Sequence, residues 1–224
     1  LIITQIENAI IARLTKGMGR MVDGVQSYGG ELDAGLAEVV RVLPGAWVTF
    51  GGIQKTEPVN TTRRKYRAHG RFVVMVGDTN VRGEEASRHG GAHSTEVGTN
   101  NLVYAVRRLL SGQDLGLSID ALMPGRVRTL FNTALEHQAI SVFACEFDTH
   151  WIELALDAGR YPDIPPPTRP PEEMVNHPDY LFTRYGGQGS EPYPNLHSIH
   201  ASIDEVNSPL IPDIEGIVNY DPDH

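Results

Sequence analysis

The residues best placed to do chemistry in this sequence are two histidines four apart. They lie in the run Arg88-His89-Gly90-Gly91-Ala92-His93, with Glu84, Glu85 and Glu96 close by. On a helix that spacing would set both imidazoles on one side, and with Glu96 they would suggest a metal-dependent hydrolase. Gly90-Gly91 works against a helix there, and no third ligand stands at a recognisable spacing. The expectation is a solvated loop and no metal, with the hydrolase of His89, His93 and Glu96 as the alternative from another functional class. His137, His150, His177, His197 and His200 are scattered through turns and the C-terminal part, where a solvated or satisfied imidazole is the default.

Other catalytic signatures are missing. Gly29-Gly30, Gly51-Gly52 and Gly186-Gly187 lack the neighbours of a phosphate loop or a nucleophile elbow and read as turns. The pairs Glu84-Glu85 and Glu172-Glu173 are adjacent in sequence, which suits solvation better than acid and base work across a substrate. Neither an enzyme nor a cofactor is expected. The basic run Arg63, Arg64, Lys65, Arg67 and Arg71, with Tyr66 interleaved, could meet phosphates. A strand face of like charges is more often solvated or matched by acids on a neighbouring strand. A protein interface is therefore favoured over nucleic acid.

The elements that must hold these residues follow from apolar spacing. Ile3, Ile6, Ile10 and Leu14 predict a helix over about Ile3–Lys16, stopped by Gly17 and Gly19. An extended piece follows at Val22–Tyr28, and a second helix over Leu32–Leu43 ends at Pro44-Gly45. Ala46–Phe50 predicts a strand closed by Gly51-Gly52. In Arg64–Gly77, Tyr66, Ala68, Phe72, Val74 and Val76 share one parity, while Lys65, Arg67, His69 and Arg71 share the other. That is the clearest strand. Asp78–Thr95 reads as a long polar loop, and Leu102, Val103, Val106, Leu109 and Leu110 predict a third helix over about Thr95–Leu110. Two strands, Arg126–Phe131 and Ala139–Ile152, are separated by a polar stretch, Asn132–His137, that could turn a hairpin. The connections imply an α+β fold, with a mixed, largely antiparallel sheet and packed helices.

Length and charge divide the chain. Its 224 residues allow one ordinary domain with appendages. Leu1–Leu156 holds 16 Lys and Arg against 16 Asp and Glu, whereas Asp157–His224 holds 3 against 12 and carries the whole net charge of -9. The second segment also has 12 of the 15 prolines. A body over 1–156 and an acidic, extended Pro-rich arm over 157–224 are expected. The arm carries apolar residues that want burial, among them Tyr180, Leu181, Phe182, Tyr185, Leu196, Ile199, Leu210 and Ile211. Set between prolines, they suit a strap that lays short anchors on another surface. The lone Cys145 excludes an internal disulfide and suits a reducing compartment, and no run of about 18 apolar residues supports a membrane span.

Several runs carry a resemblance. Ile6-Glu7-Asn8-Ala9-Ile10-Ile11-Ala12-Arg13-Leu14, Ser27-Tyr28-Gly29-Gly30-Glu31-Leu32 and Ala46-Trp47-Val48-Thr49-Phe50-Gly51-Gly52 are similar to the tail-terminator family of Mu-like bacteriophages and prophages. So are Arg63-Arg64-Lys65-Tyr66-Arg67, Asn80-Val81-Arg82-Gly83-Glu84-Glu85-Ala86, the stretch from Arg107 to Leu117, and that from Pro124 to Asn132. The resemblance implies a structural virion protein without an active site. It would close the head-proximal end of the tail tube as a ring, usually of six subunits, made in the host cytoplasm. Its partners would be itself, the tube protein, neck or connector proteins, and a sheath protein where the tail contracts. A neck or head-completion protein is the nearest alternative. Subunit contacts are expected at Lys65, Arg67, His69 and Arg71, and in the loop at Arg82, Glu84, Glu85 and Arg88.

Overall fold

In the computed structural model, helix α1 spans Ile2–Met18 and buries Ile6, Ile10, Leu14 and Met18, one residue every fourth position along a single stripe. The helix passes through Gly17, expected as a stop, and ends where Gly19 takes a positive φ of 53°. Gly17 serves contact instead. A Cβ there would stand 2.5 Å from Cδ2 of Leu109, so its absence lets the first helix lie against the second. The structure describes residues 1–30, 32, 42–80, 97–135, 138–163, 179–191, 198–203 and 214–219. The helix expected over Leu32–Leu43 and most of the loop expected over Asp78–Thr95 lie outside them.

Strands β1 (Gly24–Ser27), β2 (Gly45–Pro58), β3 (Lys65–Asn80), β4 (Met123–Leu135) and β5 (Gln138–Leu154) form one mixed sheet in the order β1-β2-β3-β5-β4. β1 runs parallel to β2, and the other pairs are antiparallel. Helix α2 (Thr99–Leu110) joins α1 on one face. Their apolar stripes meet Ala46, Val48, Phe72, Val74, Cys145 and Phe147, forming the main core. A smaller core on the opposite face gathers Trp47, Met75, Ile140, Val142 and Ala144 with Leu32 and Leu43. The fold class is α+β, with helices on a largely antiparallel sheet.

Four strands run past their expected ends. β2 continues through Gly51-Gly52 because the glycines form a bulge: the register shifts between Phe50 and Ile53, and Gly52 has φ +93°. β4 and β5 pair as far as Leu135 and Gln138, so Asn132 to Leu135, expected in a turn, are strand, and residues 136–137 lie outside the described set. β3 extends to Asn80, and α2 starts at Thr99 because Gly98 has φ +78°.

The chain divides into two units, Leu1–Ala155 and Leu156–His224. In the second, Tyr180–Arg184 forms a short helix, α3, and β6 (Ser198–Ile203) pairs antiparallel with β7 (Ile214–Asn219). No helix among the described residues is long and apolar enough to cross a membrane.

Candidate assembly surface

Strand alternation puts the basic residues of β3 on the sheet face away from α1 and α2. Register then decides what they meet. Arg71 lies opposite Asp148, and His69 opposite His150, on β5, while Arg67 lies opposite Glu57 on β2. Arg71 donates from Nε to Asp148 Oδ1 at 2.7 Å and from Nη2 to Oδ2 at 3.1 Å, a bidentate pair. Its Nη1 lies 2.9 Å from Oε2 of Glu146, whose Oε1 is 3.0 Å from Nε of Arg128 on β4. Glu146 is only 4% exposed, so two guanidiniums neutralise a buried carboxylate. The hydrogen bond to Asp148 pushes Arg71 above the ordinary arginine range, against the opposing pull of partial burial.

The next rung is more exposed. Glu57 lies 3.2 Å from Nε2 of His69 and 2.5 Å from Nζ of Lys55. The hydrogen bond from Lys55, with its charge, holds Glu57 below the usual carboxylate range; His69 adds a smaller pull. His150 lies 2.8 Å from Asp120, and the rings of His69 and His150 have centroids 5.2 Å apart. At the end of the strand, Lys65 and Arg67 are exposed and have no ion pair among the described residues. Across from them stand Leu154, 72% exposed, and Ile152, 47% exposed. The basic strand thus has two halves: Arg71 is held by acids of its own sheet, and Lys65 and Arg67 face outward beside bare apolar side chains.

The other expected contact residues, Arg82, Glu84, Glu85 and Arg88, lie outside the described residues, as do His89, His93 and Glu96. Among the described residues no group of three or more His, Cys, Asp or Glu could hold a metal ion. Of the arm anchors, Tyr180 is half-buried, while Leu181, Phe182 and Tyr185 of α3 and its C-cap are exposed. Ile199 lies in β6, and Leu196, Leu210 and Ile211 fall outside the described residues.

Asp78 is a site residue that sequence reasoning assigned to a polar loop. It is 6% exposed at the end of β3, and its carboxylate accepts from the backbone N–H of Thr79 and of Gly98, both at 2.8 Å. It therefore pins the residue that precedes α2 to the sheet, across twenty residues of sequence. A sequence signal existed: an acid directly after the apolar run Val73–Val76 and Gly77.

Among the described residues the body is thus a charge-matched sheet with two helices on one face, β4 at one edge and exposed apolar side chains at one end. The chain belongs to the family described as Bacteriophage Mu, Gp37, whose model matches residues 2–152. That membership supports a phage protein of structural, virion-related type. The match covers nearly all of the first unit and stops before the arm. No curated protein sequence matches the chain.

Proposed function

We propose that this chain is the tail terminator of a Mu-like phage, closing the head-proximal end of the tail tube as a ring of copies of itself. The family match over residues 2–152 carries this reading. The surface fits it in one respect: Lys65, Arg67, Ile152 and Leu154 form a mixed basic and apolar end to the sheet, the composition of a contact between subunits. The reaction is geometric. A ring seated on the last tube layer covers the growing edge, stops addition, and presents a new face to the neck or connector; a sheath would start from the same ring if the tail contracts. No bond is made or broken, and no cofactor is called for.

Imaging of labelled particles tests the reading. The chain should be found at the head-proximal end of the tail, and particles made without it should carry tubes of uncontrolled length. Label at the head vertex with tails of normal length would instead make the chain a neck or head-completion protein. Stoichiometric zinc, manganese or iron in the purified protein would revive the hydrolase of His89, His93 and Glu96.

A further inference from the structure

Away from the charged sheet face, α2 and the start of β4 build a second surface with chemistry of its own. Tyr104, Arg107, Arg108 and Ser111 line one open depression on α2, as expected from residues three, four and seven apart on a helix. Arg107 donates to the carbonyl of Gly125 at 3.0 Å, which ties this helix face to β4 where that strand bulges. Tyr104 is 68% exposed in the single chain. Arg108 is exposed and has no ion pair among the described residues. β4 is one of the two edge strands described, and its bulges between Pro124 and Val127 and between Thr129 and Phe131 break regular pairing beside the patch. An edge blunted in this way is poor at adding a strand and leaves recognition to side chains.

We propose that this patch binds the acidic arm, Leu156–His224, of a second copy of the chain. The argument is charge complementarity. The arm holds 12 acids against 3 bases, an excess it cannot neutralise itself, and the patch offers Arg107 and Arg108 to it. The arm is present at one per body in any assembly of copies, and it brings aromatic side chains, such as the exposed Phe182 and Tyr185, that suit a surface of tyrosine and arginine. A two-stranded sheet such as β6–β7 is marginal alone and gains from a surface to lie on. The contact is head to tail, because patch and arm are different surfaces, and such a contact closes into a ring when its rotation permits. The inference rests on the ring reading only in taking the occupant from another copy.

The test uses full-length chains. Arg108→Glu with Tyr104→Glu makes the patch acidic, and Glu191→Lys with Glu215→Lys reverses two arm acids; circular dichroism and a thermal melt check that each variant is folded. Light scattering at low salt should show the unaltered chain assembled, and each reversed chain dissociating at roughly tenfold lower salt or tenfold higher protein concentration. Mixing the two reversed chains should restore assembly, since each then offers what the other needs. Assembly that neither reversal weakens would overturn the proposal and leave the terminator reading to the imaging of particles. A chain that is monomeric at every concentration, or crosslinks from patch to arm within one chain, would also overturn it. So would binding of a short DNA duplex that the patch reversal abolishes, which would assign the patch to nucleic acid.

Discussion

Replacing Arg71 by Met tests whether the charged sheet face is held by its own ion pairs. The substitution keeps much of the aliphatic stem and removes the guanidinium, which bridges Asp148 at 2.7 and 3.1 Å and Glu146 at 2.9 Å. Side-chain exposure is 30% for Arg71 and 34% for Asp148, so solvent screens that pair and its loss costs about 0.5–1 kcal/mol. Glu146 decides the rest. At 4% exposure it keeps Arg128 on Oε1 but loses the cation beside Oε2, an oxygen that has no hydrogen bond of its own, and taking one of two cations from a buried carboxylate costs about 1–3 kcal/mol. The expected loss is about 2–3 kcal/mol, seen as a lower urea midpoint at unchanged slope and as a fall in Tm of roughly 5–10 °C.

The discriminating variant is Arg71→Met with Glu146→Met. Removing both charges takes away the burden of the buried acid, while Arg128 and Asp148 are exposed enough to be solvated. The double variant should therefore be more stable than Arg71→Met alone, by about 1 kcal/mol or more. If the two losses simply added, so that the double variant were the less stable, the idea that Arg71 neutralises a buried Glu146 would be refuted.

Other expectations follow from local geometry. Gly70→Ala would set a Cβ 2.4 Å from the indole of Trp151 in the main core and should cost about 1–3 kcal/mol, whereas Gly24→Ala meets nothing within 4 Å and should stay within about 0.5 kcal/mol; urea titrations compare them. Burial pushes the Cys145 thiol up to about 11, against a weaker opposing pull from Arg107, so native protein at pH 8 should react with a thiol reagent only as fast as it opens. The native state keeps that proton after the unfolded chain has lost it. Stability should therefore fall as pH rises from about 9 towards 11, by no more than about 3 kcal/mol, and Cys145→Ala should lack that contribution. Lys55→Met should move the Glu57 titration up towards the ordinary carboxylate range, because the largest influence holding it down is the hydrogen bond from Lys55; carboxyl NMR reads the shift.

Much of the fold was legible because burial wrote it into spacing. The stripe of α1 and the alternation of β3 face a core, so their period shows in the sequence. β2 shows where that signal stops. Its first residues, Gly45 to Val48, are buried, but beyond the bulge Gln54, Lys55 and Thr56 are exposed, and a strand with no covered face has no apolar parity to read. The glycine pair then looks like an ending. The same holds for β4, whose described side chains from Met123 to Leu130 are mostly exposed and whose bulges reset parity twice.

The surface was harder to read for a different reason: an arginine means one thing alone and another beside an acid, and pairing is set by register rather than by neighbours in sequence. Arg67 and Arg71 look alike in the run from Arg63 to Arg71. Three-dimensional pairing separates them by placing Asp148 and Glu146, more than seventy residues away, against Arg71 and giving Arg67 the exposed Ile152. A charged strand can therefore be structural at one end and open to a partner at the other. Arg67→Ala should accordingly weaken subunit contact with little change in stability, while Arg71→Met should do the reverse. Equal losses of stability from both would mean that Arg67, too, is held by its own chain.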